Sequence, residues 1–426
     1  MKQDLEYYYQ SIFDEAERYS RVRIYFLFGI LCLIFLSVYA DEKYLYFLAL
    51  GIFVVQFSLW GLAQKISTLY NLGHSFQKQL MLSDISIKTM DITMIENQKQ
   101  RTSDYVRRKV EEKKKKYSRN TGIQKNKTIL HAAKLRRLIH ENAYFNYHLF
   151  EKSYRRNLAI LGACSALIML SILLFIPYVK GNSDLLPMRL VYSLLSFGLL
   201  YEFLTSTLRY RATTEDMKNI DSYLAQAPAA KESVLLEAFT RYSEAKVLTP
   251  NIPNGVWEKH KDYLKEGWRS KQIQIISELC DKLYNVDEPW AITGGANHYI
   301  RGIVDELNDV DIITTERGGE LISEFLKEYT ERKYGFSECS TIKSFFCVLD
   351  YRSIQIEIMA DPINLVKGRW EQNDAWKNEI EDFFVNGYML PLTKLEYEIS
   401  IYRKLDNSKI VEKLIAFKET KAKKFA

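Results

Sequence analysis

Four long apolar runs interrupt an otherwise mixed pattern in the first half of the chain: 24–40, 44–63, 158–179 and 190–208. They hold 17, 20, 22 and 19 residues, and the first has no charge. About 20 apolar residues, rising 1.5 Å each, cross the hydrocarbon layer of a membrane. A buried core helix is the plain alternative for any one run. Their arrangement as two close pairs reads better as two membrane hairpins, 24–63 and 157–208. The connections within the pairs are short and carry few basic residues, whereas the segment between the pairs is strongly basic. By the positive-inside pattern, both termini and the central segment are cytoplasmic, and the expected home is a bacterial inner membrane.

Ahead of the first run, Leu5, Tyr8, Tyr9, Ile12, Phe13, Ala16 and Tyr19 recur at spacings of three and four. That spacing predicts an amphipathic helix within 1–23, lying on the inner leaflet or packed on the central segment. The central segment, 64–156, reads as helical. Within it, 107–139 holds thirteen Lys and Arg against only Glu111 and Glu112, a net of +11. Three readings of that run stay open: a solvated face, attraction to anionic lipid, or nucleic-acid contact. Glu202 is the one ionisable residue well inside a run. Either the inner interface wets it, or, in a homo-oligomer, a ring of Glu202 lines a cation pore.

Two hairpins around a long cytosolic stretch, with Leu138-Ile-His-Glu-Asn-Ala-Tyr-Phe and Thr249-Pro-Asn-Ile-Pro-Asn near Trp257, resemble the bacterial four-transmembrane pore-forming effector family (S-4TM). That resemblance covers about residues 1–268. It implies membrane permeabilisation in an antiphage or toxin setting.

After 208 the pattern changes. Helices are predicted at 213–247, with a break at 225–230, and at 256–285, where Ile273, Ile276, Leu279, Cys280 and Leu283 share a face. The stretch 209–271 reads as a helical connector and 272–426 as a soluble domain. In that domain Trp290-Ala-Ile-Thr reads as a strand, Gly294-Gly295 as a turn and Ala296 onward as a helix. Asn308-Asp-Val-Asp-Ile-Ile-Thr-Thr reads as a strand, 319–333 as a helix, and 335–339, 345–349 and 354–359 as strands. Helices follow at 374–384 and 392–420. The fold class is thus multi-domain: an all-α four-helix transmembrane region with cytosolic helices, then an α+β domain with a mixed sheet.

Asp309 and Asp311 are two apart on a strand, so both carboxylates share one face. Like charges so placed favour a cation between them, and hard carboxylate oxygens suit Mg²⁺ or Mn²⁺. Glu357, central in Gln355-Ile-Glu-Ile-Met, offers a third carboxylate from another strand. Asp361 is the alternative third ligand, but it precedes Pro362. Gly294 and Gly295 allow close approach of backbone to a phosphate. This order of strand, diglycine, helix, DxD strand and later acidic strand resembles the nucleotidyltransferase superfamily with its polymerase-beta-like fold. The resemblance covers about 272–426. It implies that Asp309, Asp311 and Glu357 hold metal, that Gly294 and Gly295 cradle an NTP triphosphate, and that Arg301 faces the phosphates. An ion pair of Arg301 with Asp305 is the competing reading. Many members carry Ser where this chain has Gly295.

Composition changes the picture last. The chain's net charge of +6 and mean hydropathy of −0.22 suggest a mildly basic soluble protein. Yet the rest of the chain sums to −5 once the +11 run is set aside, and the hydropathy averages apolar runs with a polar second half. The five cysteines, Cys32, Cys164, Cys280, Cys339 and Cys347, lack zinc spacing and read as free thiols. Two functions remain. One is a membrane-anchored enzyme moving a nucleoside monophosphate from an NTP to an acceptor such as tRNA or a protein. The other is a pore-forming effector whose last domain senses nucleotide or a partner.

Overall fold

The computed structural model describes residues 2–39, 42–85, 92–117, 131–175, 186–226, 232–249, 252–253 and 255–425. The chain divides into two compact units, Met1–Ile220 with Phe239–Lys261, and Asp221–Ala238 with Asp262–Ala426. The helices in order are α1 (Lys2–Tyr39), α2 (Glu42–Ile85), α3 (Ile92–Gln100), α4 (Asp104–Tyr117), α5 (His131–Phe175), α6 (Leu186–Gln226), α7 (Glu232–Leu248) and α8 (Val256–Leu283).

In the first unit the predicted amphipathic helix and the first apolar run form one element, α1. No Pro or Gly between Lys2 and Phe28 stops the helix. Of the two placements expected for the amphipathic face, the structure takes the second. Leu5, Ile12 and Ala16 of α1 pack with Leu69 and Phe76 of α2, Ile95 of α3, and Val106 and Val110 of α4. Charge follows the same geometry. Asp4 lies 2.9 Å from both Lys99 and Lys114, and Lys113 lies 3.2 Å from Asp14. Burial alone would raise the Asp4 carboxyl, but the two lysines bring it below its ordinary value. These pairs are partly exposed, so each contributes no more than about 1 kcal/mol. Part of the basic run is therefore matched to α1 and to its own helix, through Lys109–Glu112 and Lys114–Glu111. Residues 118–130 of that run lie outside the described residues.

Among the described residues, one helical stretch, Tyr46–Leu82, is long and apolar enough to cross a membrane, and 12% of its apolar window is buried. Four such spans were expected. The other three runs lie on α1, α5 and α6, where many side chains, that of Glu202 included, fall outside the described residues.

The second unit is built on an eight-stranded mixed sheet. Its elements after α8 are β1 (Trp290–Thr293), α9 (Gly294–Ile300), β2 (Val310–Thr314), α10 (Glu316–Phe325), β3 (Thr330–Glu338), β4 (Ile342–Tyr351), β5 (Ile354–Val366), β6 (Arg369–Gln372), β7 (Ile380–Val385), β8 (Tyr388–Thr393), α11 (Leu395–Lys404) and α12 (Ser408–Phe425). The strand order is β3-β4-β5-β2-β1-β8-β7, with β6 paired to β5. The β1–β8 and β2–β5 pairs are parallel and the rest antiparallel. One face carries the main core: Ile273, Ile276, Leu279 and Leu283 of α8 meet Ile292, Val310, Ile312, Leu349, Ile356 and Ile358. On the other face Trp376, fully buried, packs with Ala291, Ile313 and Tyr397.

Three expectations fail. The helix expected over 319–333 starts earlier and ends earlier. Thr315 caps α10, accepting from the Gly318 amide at 3.0 Å, and residues 330–338 join the sheet as an edge strand. The helix expected over 374–384 is replaced by a short 3-10 turn at Ala375–Asn378 and the β7–β8 hairpin. Asn386 and Gly387 both take positive φ, 50° and 88°. That is the mirror-image turn whose twist matches a β-hairpin, and Asn-Gly is its favoured pair. The single helix expected over 392–420 is two, α11 and α12, parted near Asp406 with φ 54°.

Candidate functional site

β2 and β5 run side by side in parallel, with Asp311 directly opposite Glu357. Alternation along each strand does the sorting. Val310, Ile312, Ile356 and Ile358 enter the core, each 1% exposed or less. Asp309, Asp311 and Glu357 consequently project from the opposite face. Asp309 is 3% exposed and Asp311 7%. One carboxylate oxygen from each of the three lies within 4.8 Å of the others. Gln355, on the same face of β5, donates to Glu357 Oε1 at 2.7 Å and so fixes that carboxylate. Three buried or half-buried carboxylates in one spot repel unless a cation joins them. All-oxygen donors fit Mg²⁺ or Mn²⁺.

β1 flanks β2 on its other side, with Thr293 opposite Asp311. Gly294 follows, at φ +64°, and a Cβ there would lie 2.7 Å from Asp311 Oδ2. Glycine is required by both the backbone angle and the contact. Gly295 differs, since a Cβ there would meet nothing within 4 Å. Nor does the Gly294 amide point toward the carboxylates. It donates to Glu398 Oε1 at 2.9 Å. The Gly294 amide is thus engaged by Glu398 within the turn.

Arg301 has its donors engaged elsewhere. Its Nε donates to Asn297 Oδ1 at 2.6 Å, and its guanidinium reaches Glu381 Oε1 at 2.5 Å and Thr393 O at 3.2 Å. The side chain is 7% exposed and stacks over Phe383 at 4.7 Å. It ties α9 to the β7–β8 hairpin, and Glu381 takes the partner role that the sequence offered to Asp305. Asp361 also leaves the candidate set, because its carboxylate accepts from the Glu316 amide at 2.8 Å at the start of α10.

Neither a protein-family model nor a curated protein matches the chain. Among solved structures, a Thermotoga maritima chain assigned as a nucleotidyltransferase is similar, at 28% identity and a TM-score of 0.31. That match covers 36% of this chain and 95% of the other. The antibiotic-resistance factor ANT(2″)-Ia is similar at 16% identity and a TM-score of 0.23, over 37% of this chain and 94% of the other. At these TM-scores the likenesses carry no argument of their own, and the functional reading rests on the site's geometry.

Several residues at the site escaped the sequence reading. Glu398, Thr293, Asn297, Thr393 and His298 form a buried network behind the glycine turn. His298 Nε2 sits 3.4 Å from Glu398 Oε2, close enough for an ion pair but not aligned as a hydrogen bond. Burial would raise the Glu398 carboxyl, yet His298, Thr393 and Thr293 together hold it below its ordinary value. Tyr402, one turn further along α11, brings its hydroxyl to 3.8 Å from where a Gly294 Cβ would sit. Burial and then the negative charges of Glu398, Asp311 and Asp309 push that phenol well above its ordinary range. The one sequence signal for Glu398 was an acid flanked by the apolar Tyr397 and Ile399.

Proposed function

We propose that the chain is a membrane-anchored, metal-dependent nucleotidyltransferase. The observation that carries this reading is the convergence of Asp309, Asp311 and Glu357 within 4.8 Å beside the Gly294 turn. Asp309 and Asp311 would hold two divalent cations, Mg²⁺ or Mn²⁺, and Glu357 would complete one site. Bound there, such ions neutralise charge on the attacking and leaving oxygens of a phosphoryl transfer. An acceptor hydroxyl forms a bond to the α-phosphorus of an NTP. The bond from that phosphorus to the β-phosphate bridging oxygen breaks, and pyrophosphate leaves with the electron pair. Glu357 would help take the hydroxyl proton. Gly295, which faces open space, lets a triphosphate approach the backbone. A domain that only sensed nucleotide would have no use for three converging carboxylates.

The same proposal places α2 in a bacterial inner membrane, with the remaining three apolar runs beside it and the enzyme in the cytoplasm. The acceptor is an RNA end, such as that of tRNA, or a protein side chain. The test uses the full chain in detergent with each α-labelled NTP, Mg²⁺, and total cellular RNA or protein. Labelled product is expected, and Asp309→Ala with Asp311→Ala should lower it at least about a hundredfold. Transfer that survives the double substitution removes the enzyme assignment from this site. If the setting is a toxic or defence response, the double variant also relieves growth arrest on expression.

A further inference from the structure

Glu398 Oε1 is the meeting point of four donors. Thr293 Oγ1 donates at 2.7 Å, Gly294 N at 2.9 Å, Asn297 Nδ2 at 3.2 Å and Thr393 Oγ1 at 2.5 Å. The side chain stands on α11, is 2% exposed, and comes from about a hundred residues further along the chain than the turn it meets. Two of the donors have other acceptors. Asn297 Nδ2 also reaches Thr393 O at 2.7 Å and Thr393 Oγ1 at 2.8 Å. Thr393 Oγ1 also lies 3.5 Å from Ile292 O. The groups that depend most on Glu398 are the Thr293 hydroxyl and the Gly294 amide, which belong to the turn itself. That turn in its turn abuts the Asp311 carboxylate, since a Gly294 Cβ would fall 2.7 Å from Oδ2.

We infer that Glu398 is a positioning residue, which from α11 pins the Gly294 turn against Asp311 and so sets the geometry of the cation and nucleotide site. The nucleotide half of this inference rests on the transferase reading, and the cation half does not. Mg²⁺ and Mn²⁺ sites built from few carboxylates depend on close control of ligand angles. Slack in the turn would let the Asp311 carboxylate rotate out of register with Asp309 and Glu357. Hydrogen bonds behind a metal ligand commonly matter roughly tenfold or more for metal affinity. A core network serving stability alone would instead shift melting temperature and leave affinity per folded molecule unchanged.

The experiment uses the full-length chain in detergent, with Mn²⁺ alone as the first probe and Mg·ATP as the second. Glu398→Gln keeps an oxygen for the Gly294 amide but loses the charge that draws four donors. Glu398→Ala removes the anchor. The Mn²⁺ dissociation constant, counted per folded molecule, should rise about threefold for Gln and about tenfold or more for Ala. KM for Mg·ATP should rise in the same order, with kcat changing less. Where the Ala variant fails to fold, the Gln variant decides. Unchanged Mn²⁺ affinity in folded Glu398→Gln overturns the inference, as does a wild-type chain that binds no Mn²⁺. If Mn²⁺ affinity falls in the expected order while the wild type transfers nothing from any NTP, Glu398 keeps its role and the transferase reading is lost.

Discussion

Gly294 and Gly295 are neighbours of the same type doing different jobs. Gly294 holds φ +64° and touches Asp311, while Gly295 has open space where a side chain would go. Gly294→Ala combines an unfavourable backbone angle with a clash, and should destabilise the second unit by roughly 1–3 kcal/mol. It should also abolish transfer. Gly295→Ser should leave thermal stability within about 0.5 kcal/mol of wild type. Melting curves for the two variants check both statements, and equal destabilisation would contradict this account of the turn. The sequence did mark Asp309, Asp311 and Glu357, because strand alternation tells which residues share a face. It did not mark Glu398 or Tyr402. Their place near the turn depends on α11 folding back across the sheet, which no local spacing encodes. For Arg301 the sequence offered a phosphate or, as ion-pair partner, Asp305, and the acid that stands beside it is Glu381 instead. Glu381 became near only when β7 paired with β8.

Elements were legible where period and breakers agreed. The strands at β1, β2, β4 and β5 follow apolar runs, and α8 follows a helical stripe. The pattern over 374–384, which takes in most of β7, reads as helix although Asn386-Gly387 is a strong hairpin signal, because Ile380–Val385 has no clean alternation. In the helical unit one buried group gives a pH signature. Lys246 on α7 is half-buried. It donates to Asn146 Oδ1 at 3.1 Å and lies over the Phe150 ring. Burial lowers its ammonium to about 8. Below pH 8 the fold bears the whole cost of that buried charge. From about pH 8 toward 10 the unfolded chain holds the extra proton, so stability rises with pH. Above about pH 10 the buried Tyr242, raised by burial, reverses the trend. Melting of the helical unit in detergent should therefore rise between about pH 7.5 and 9.5. Lys246→Met should flatten that rise, and an unaltered rise in the variant would exclude Lys246 as its source.

For the whole molecule, the membrane assignment is the proposal with the widest consequences. α2 has 44 residues, about 66 Å at 1.5 Å each, so it is about twice as long as a hydrocarbon layer is thick. Its first half exposes Tyr46, Phe47, Leu50, Phe53, Phe57 and Trp60, each at least 60% exposed. An apolar face of that extent is costly in water and favourable in lipid. Its second half packs against α1 through Leu69 and Phe76. The chain should therefore remain in the membrane pellet after alkaline carbonate washing. Release into the supernatant would count against a spanning α2.

By itself the sequence determined what short-range physics encodes. Helical and strand periods, the sharing of one face by Asp309 and Asp311, the charge of the basic run and the length of the apolar runs all depend on near neighbours in the chain. The tertiary structure alone decided which distant groups meet. It brought Glu357 opposite Asp311, turned the Gly294 amide toward Glu398, engaged Arg301 with Glu381, and laid Lys114 against Asp4. Such pairings follow from strand order and helix packing, in which burial of apolar faces chooses the neighbours and buried polar groups must then find partners among them.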